Sequence, residues 1–343
     1  MRYLSAPKLA LLLALLLPVA MLASLGVGTV FISPDEIIHT LSMSLLGEAA
    51  NPQHKSILID IRLPRILLAL LVGAVLASCG VIMQGLFRNA LADPSLIGVS
   101  GGASLGASIV IVTTAGTLSV SPLAGLSMVA FGAFVGGFAA TLLVYRVATS
   151  ALGTSVATML LAGIAIGALS GAFNSLLSYF SDNQMLRQIS MWQMGNLSAA
   201  NGLKVILMGT VALCFMAFLP SHIKALNALL LGESEARHLG IDVQQVKRKL
   251  ILLTALGVGV SVALAGLIGF VGLVIPHIVR LIIGPDHRWL LLASALAGSI
   301  LLLVADCIAR VIVLPAELPT GILTALIGAP FFVVLLISQR RTL

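Results

Sequence analysis

The sequence predicts an all-α polytopic membrane protein, and three observations carry that prediction. Only 9% of its 343 residues are charged and 59% are hydrophobic, with a mean hydropathy of +1.14. A soluble domain carries roughly a quarter charged residues, so most of this surface cannot face water. Uncharged runs recur at lengths that cross about 30 Å of hydrocarbon. Glycine is abundant (33 residues) and aromatic residues are scarce (5%), which suits closely packed membrane helices better than a barrel girdled by aromatic side chains.

Ten candidate spans follow in order: Leu9–Ile32, Ile66–Gln84, Ser95–Thr114, Leu123–Tyr145, Thr158–Phe180, Leu203–Leu219, Leu250–Ala265, Ile268–Ile283, Leu290–Val304 and Thr320–Ser338. The first follows Arg2 and Lys8, as a signal peptide would. Its 24 uncharged residues exceed a signal h-region and no small-x-small cleavage site follows, so it reads as a retained span. Leu250–Pro276 is uncharged and too long for one crossing, and Gly266, Gly269 and Gly272 offer the break. Small residues recur at four-residue spacing (Gly98, Gly102 and Gly106; Gly132 and Gly136; Gly163, Gly167 and Gly171), a stripe that lets helix backbones approach closely.

Charge orients the chain as one transmembrane domain over residues 1–343. With both termini in the cytoplasm, 13 Lys and Arg fall inside and 6 outside, in accord with the positive-inside rule. The polar stretch Pro220–Lys249 then becomes a cytoplasmic loop between the sixth and seventh spans. Within it, Gly232 and Gly240 bracket about two turns of helix with Glu233 and Arg237 at i, i+4. Such a helix is either a solvated loop element or a handle through which a partner moves the bundle.

Several function classes are excluded. The sequence pI of about 9.8 comes from Lys and Arg scattered among loops and helix ends, with no basic face for nucleic acid. No Lys follows Gly anywhere, so no Walker A element exists. No HExxH or paired-Cys motif marks a metal site. Cys79, Cys214 and Cys307 are odd in number and lie in apolar runs, which points to packing and not to a disulfide framework. Asp306 and Arg310 stand one helical turn apart and neutralise each other. An ion-coupled carrier would have to use Asp306 and Glu317 as proton sites.

Three arginines, Arg62, Arg65 and Arg310, fall outside against the positive-inside trend. A single one is explained by snorkelling to lipid headgroups. Together they suit charge-assisted, bidentate contacts with acidic residues of an external partner. His39, His54, His222, His238, His277 and His287 show no metal-ligand spacing and read as structural. Met191-Trp192-Gln193-Met194 reads as a membrane-interface segment.

At these residues the chain resembles the FecCD-type permease subunits of bacterial ABC importers for iron chelates, heme and cobalamin. The resemblance spans nearly the whole length. It rests on Arg62-Leu63-Pro64-Arg65; Met83-Gln84-Gly85-Leu86-Phe87-Arg88-Asn89 with Leu91-Ala92-Asp93-Pro94 and Gly98-Val99-Ser100; Gly232-Glu233, Ala236-Arg237 and Leu239-Gly240; Gly269-Phe270-Val271-Gly272-Leu273-Val274-Ile275-Pro276-His277 with Arg280; and Glu317-Leu318-Pro319 with Gly321. One departure is Ala90, where the family usually has proline, which softens that turn.

The resemblance implies a type II ABC importer permease fold of ten transmembrane helices in a bacterial inner membrane. It implies a second permease copy, two cytoplasmic ATPase subunits and a periplasmic substrate-binding protein. ATP and Mg would sit on those partners, with no cofactor or metal on this chain and no catalysis by it. Arg62, Arg65 and Arg310 match the arginines that meet the binding protein. Leu231, Gly232, Glu233, Ala236, Arg237, Leu239 and Gly240 match the helix that seats in the ATPase. The loop Ala151–Ala157, with Gly153, Thr154, Ser155, Val156 and Ala157, lies near the family's cytoplasmic gate. The expected cargo is an iron chelate, heme or a ferric siderophore; a cobalamin importer of the same family is the alternative.

Overall fold

The computed structural model describes residues 5–46, 51–114, 122–150 and 153–340. In chain order they form α1 (Ala6–Gly26), α2 (Pro34–Leu46), α3 (Pro52–Lys55), a π-helical turn Ser56–Arg62, α4 (Leu63–Phe87), a 3-10 turn Pro94–Ile97, α5 (Val99–Thr114) and α6 (Pro122–Ala148). Two short antiparallel strands follow, β1 (Thr149–Ser150) and β2 (Gly153–Thr154). The rest is α7 (Val156–Tyr179), α8 (Asn183–Gln193), α9 (Gly202–Leu229), α10 (Glu233–His238), α11 (Val243–Ala265), α12 (Val271–Ile283), α13 (His287–Val311) and α14 (Thr320–Arg340).

Each of the ten sequence-derived segments falls on one of these helices. Among the described residues, seven helices are long and apolar enough to cross a membrane: α1, the continuous run Pro52–Phe87, α6, α7, α9, α11 and α13. The apolar parts of α5, α12 and α14 are shorter, at 10–17 residues. The chain is an integral, multi-pass membrane protein. Its outward faces agree: Phe131, Leu161, Ile164, Leu213 and Met216 are all exposed, which a hydrocarbon solvent accepts and water would not.

Helix α4 is the axis of the bundle. It is apolar all round, and most of its length is buried against α13, α9, α12 and α11, as expected of a helix with no solvent face. Lipid is as apolar as a leucine side chain, so close backbone approach and not water exclusion must hold these helices together. Glycine provides it. A methyl group on Gly73 would lie 2.3 Å from the carbonyl oxygen of Gly298 on α13, and one on Gly80 would lie 1.7 Å from that of Gly272 on α12. The stripes on α5 and α6 interlock in the same way, Gly102 against Gly136 and Gly106 against Gly132. On α7, Gly163 is used so against Leu96, and Gly167 lets Gly101 of α5 come close, a methyl there lying 3.1 Å from the Gly167 Cα; a methyl on Gly167 or Gly171 would itself meet nothing within 4 Å.

The predicted break between the seventh and eighth segments is real. Helix α11 stops at Ala265, Gly266 takes φ +72°, and α12 begins only after Phe270 in a left-handed conformation. Irregular backbone at membrane depth needs protein partners. One comes from the turn after α8, where Asn196 N–H donates to Ala265 O (2.7 Å); that turn is itself held by Gly321 N–H of α14, which donates to Gly195 O (3.1 Å).

The polar stretch expected as a loop over 220–249 is mostly helical. Helix α9 runs through Pro220 to Leu229, because Ala225, Leu226, Ala228 and Leu229 are buried and hold the extra turns in place. Helix α11 starts at Val243, capped by the Asp242 side chain. Only Leu230–Asp242 remains between them, and α10 occupies its centre. The segment expected to begin at Ser95 starts its α-helix at Val99, after a separate 3-10 turn capped by Asp93, whose carboxylate accepts from Ser95 N–H at 2.7 Å. Burial of Asp93 pushes its pKa above the usual carboxylate range. The Asn89–Ala92 turn closes with Ala90 in place of proline, through Ala92 N–H donating to Asn89 O at 3.1 Å.

Candidate functional sites at the two ends of α4

Arg62 and Arg65 bracket the N-terminus of α4, and Arg88 follows its C-terminus. Twenty-five residues at 1.5 Å each separate the two ends by about 37 Å.

At the N-terminal end the three arginines expected to face a partner are buried, with 5%, 4% and 3% exposure for Arg62, Arg65 and Arg310. Arg65 forks onto Asp306, Nε at 3.0 Å from both carboxylate oxygens and Nη2 at 2.9 Å from Oδ1, while Nη1 donates to Glu317 at 2.7 Å. Asp306 is fully buried and also meets Arg310 Nε at 3.2 Å and accepts from Thr320 Oγ1 at 3.0 Å. The Asp306–Arg310 pairing read from the sequence is therefore present, and Arg65 joins it.

The remaining donors of Arg62 and Arg310 close the end of α1. Arg62 donates to the carbonyls of Leu25, Gly26 and Val30. Arg310 Nη1 donates to Ser24 O at 3.2 Å and Val27 O at 3.0 Å, and Nη2 donates to Ser24 Oγ at 2.5 Å. A helix C-terminus carries unsatisfied carbonyls and partial negative charge, and both favour guanidinium there. The cluster thus ties α1, α4, α13 and the start of α14 at one point. Asp306 and Glu317, the acids an ion-coupled carrier would need, are committed to arginines here.

At the other end, α10 is six residues long with clear stop signals. Gly232 precedes it at φ +128° and Gly240 follows at φ +79°. Gly240 N–H donates to Arg237 O (2.9 Å) and Ile241 N–H to Ala236 O (3.1 Å), the paired bonds of a Schellman C-cap. Ala236 is buried, whereas Leu231 and Leu239, on either side of the helix, are 67% and 64% exposed. Glu233 lies 3.9 Å from Arg237, a weak exposed pair, and 2.5 Å from Lys247 Nζ. Lys247 lies in the polar stretch expected as a cytoplasmic loop, yet it is 3% exposed. Nothing in its sequence neighbourhood signals that, because its partners lie outside its own helix.

The remaining expected site, the loop over 151–157, is only partly in view. Ala151 and Leu152 lie outside the described residues. Gly153 and Thr154 form β2, paired with Ser150 and Thr149. Ser155 caps α7, its hydroxyl accepting from Thr158 N–H at 3.3 Å, and Val156 and Ala157 open that helix.

The sequence profile of the FecCD transport family matches residues 15–338. The chain belongs to the FecCD family. Among FecCD relatives, the hemin transport system permease protein HmuU of Yersinia pestis is 44% identical over 338 residues, 98% of this chain and 97% of its own. The vitamin B12 import system permease protein BtuC of Vibrio vulnificus is 40% identical over 332 residues, 97% of this chain and 94% of its own. A solved inward-facing ABC transporter, described as of a proposed metal-chelate type, superposes with a TM-score of 0.83 at 35% identity, covering 97% of this chain and 99% of that one.

In this FecCD chain three hydrogen bonds tie the end of α9 to the start of α13. Asn227, near the end of α9, accepts from His287 N–H at 2.9 Å, sits 2.9 Å from His287 Nδ1 and donates to Asp286 at 2.9 Å. His287, ahead of the segment expected to begin at Leu290, is the buried first residue of α13. The signal was available in Asp286-His287-Arg288, an N-cap residue ahead of an apolar run.

Proposed function

We propose that this chain is the translocation subunit of an ATP-driven importer, and that α10 is where ATPase subunits grip it. The observation that carries the reading is α10 itself: a short, firmly capped helix with two exposed leucines, at the far end of the core helix from the arginine cluster, in a FecCD chain. A solvated loop helix has no use for two bare leucines at its ends. The working assembly in this reading holds a second permease copy, two ATPase subunits and a periplasmic binding protein, with ATP hydrolysed on the ATPases. The seven long and three shorter apolar helices make ten crossings of a bacterial inner membrane, with both termini in the cytoplasm.

The burial of Arg62, Arg65 and Arg310 changes their part in docking. A guanidinium with about 95% of its surface covered cannot take a partner's carboxylate without leaving the carbonyls or carboxylate it already holds. We read the three as the internal brace that holds the docking face in shape, with the half-exposed Glu317 at its edge.

The cargo is an iron chelate, and the 44% identity to a hemin permease supports heme. The cobalamin reading is kept by relatives at 40–41% identity over almost the same length. The deciding experiment reconstitutes the chain with its ATPase and binding protein in liposomes and compares ATP-dependent uptake of hemin and cyanocobalamin. Leu231→Asp and Leu239→Asp should each weaken ATPase association by about tenfold or more, with the isolated permease unchanged in stability. Uptake without ATPase subunits would overturn the reading.

A further inference from the structure

The buried ammonium of Lys247 is held from two directions. On one side is Glu233 Oε1 of α10, at 2.5 Å. On the other is the backbone carbonyl of Thr154 in β2, which accepts from Nζ at 3.2 Å. One turn earlier on the same face of α11, Gln244 Oε1 accepts from Thr154 N–H at 3.1 Å. Both backbone groups of Thr154 are therefore taken by side chains of α11, and a methyl on Gly153 would lie 2.3 Å from Gln244 Nε2.

A membrane-surface lysine normally extends its ammonium to headgroups and water. Lys247 turns inward, and an ammonium with 3% exposure is tolerated only where its charge and hydrogens are matched. Glu233 matches the charge, and Thr154 takes a further hydrogen. Glu233 and Thr154 are 79 residues apart along the chain (93 less 14) but one side chain apart in space. Through Lys247 the ends of three elements, α10, α11 and the β1–β2 hairpin ahead of α7, share one contact.

We propose that Lys247 is a positioning residue that transmits displacement of α10 to the β1–β2 hairpin and so to the N-terminus of α7. The inference rests on the reading of α10 as the ATPase contact. When an ATPase subunit pulls α10, Glu233 moves; Lys247 either follows and draws Thr154 with it, or is left buried and unpaired. The second outcome is costly, so the hairpin follows. An ammonium serves here because it donates to a carboxylate and a carbonyl at once; a carboxylate at position 247 would accept from neither.

The test uses the whole complex, permease with ATPase and binding protein in nanodiscs, and measures hydrogen exchange with and without ATP plus vanadate. In the wild type, the peptide covering 233–240 and that covering 149–157 should both change exchange on nucleotide trapping. In Lys247→Met the first should still change and the second should not, while ATP hydrolysed per hemin delivered rises by at least about tenfold. Lys247→Arg, which keeps donors toward both partners, should retain the hairpin response. The exchange Glu233→Lys with Lys247→Glu restores an α10–α11 ion pair but offers no donor to Thr154. It should recover only the part of the stability owed to the ion pair and leave the hairpin silent, an outcome that a purely structural role for the pair does not produce. A nucleotide response of the hairpin in Lys247→Met equal to the wild type would overturn the proposal. A wild-type complex in which 233–240 shows no response would instead overturn the reading of α10.

Discussion

Replacing Asp306 by Asn tests the arginine cluster most directly. The substitution keeps shape and removes charge. In the protein that charge faces Arg65 at 2.9 Å and Arg310 at 3.2 Å, two guanidinium groups with 4% and 3% exposure. Removing one partner of a buried pair costs about 3–5 kcal/mol, chiefly because the charge left behind is desolvated and unmatched. The Glu317 side chain on the same Arg65 is 32% exposed, where water screens the interaction, so Glu317→Gln should cost about 1 kcal/mol or less. The assay is reversible unfolding of the purified permease in mixed detergent micelles with rising SDS, followed by circular dichroism. Adding Arg65→Gln to Asp306→Asn should recover part of the loss, since it removes one stranded charge. The reasoning is refuted if Asp306→Asn costs no more than Glu317→Gln.

Two further predictions use the same titration. Gly80→Ala places a methyl 1.7 Å from the Gly272 carbonyl, backbone against backbone, so α4 and α12 must separate at a cost of about 2 kcal/mol or more; Gly171→Ala, with nothing within 4 Å, should be neutral or gain up to about 1 kcal/mol from helix propensity. Asp286, which accepts from Asn227 Nδ2 and from Arg288 N–H, has its pKa held below the usual carboxylate value, first by Asn227. Its contribution is therefore present at neutral pH and is lost as pH falls below the ordinary carboxylate range and through the lowered pKa. The Asp286→Asn variant should show a shallower loss of stability on acidification than the wild type.

Much of the fold was legible because hydrocarbon imposes one rule, that backbone polar groups be satisfied internally, and long apolar helices are the sequence's answer to it. The Gly266 break and the Gly232 and Gly240 bounds of α10 were legible for a related reason. Both ends of α10 and the stop after Ala265 use left-handed or otherwise positive φ, and glycine is the residue that takes it without strain. The state of the arginines was not legible. Arg65 meets a carboxylate 241 residues away and Arg310 a carbonyl 286 residues away, and no local pattern announces such partners. Pro220 misled for the opposite reason. It is a local breaker, but four buried residues beyond it keep α9 going.

The clasp on α1 has a consequence for biosynthesis. Synthesis runs from the N-terminal side, so α1 emerges well before α13, yet half of what fastens its C-terminal carbonyls is Arg310 on α13. Until α13 has been made, Ser24 and Val27 lack that partner. Helix α1 enters the bilayer long before it is fully secured, and a chain truncated before α13 would leave it loosely held for membrane proteases to find.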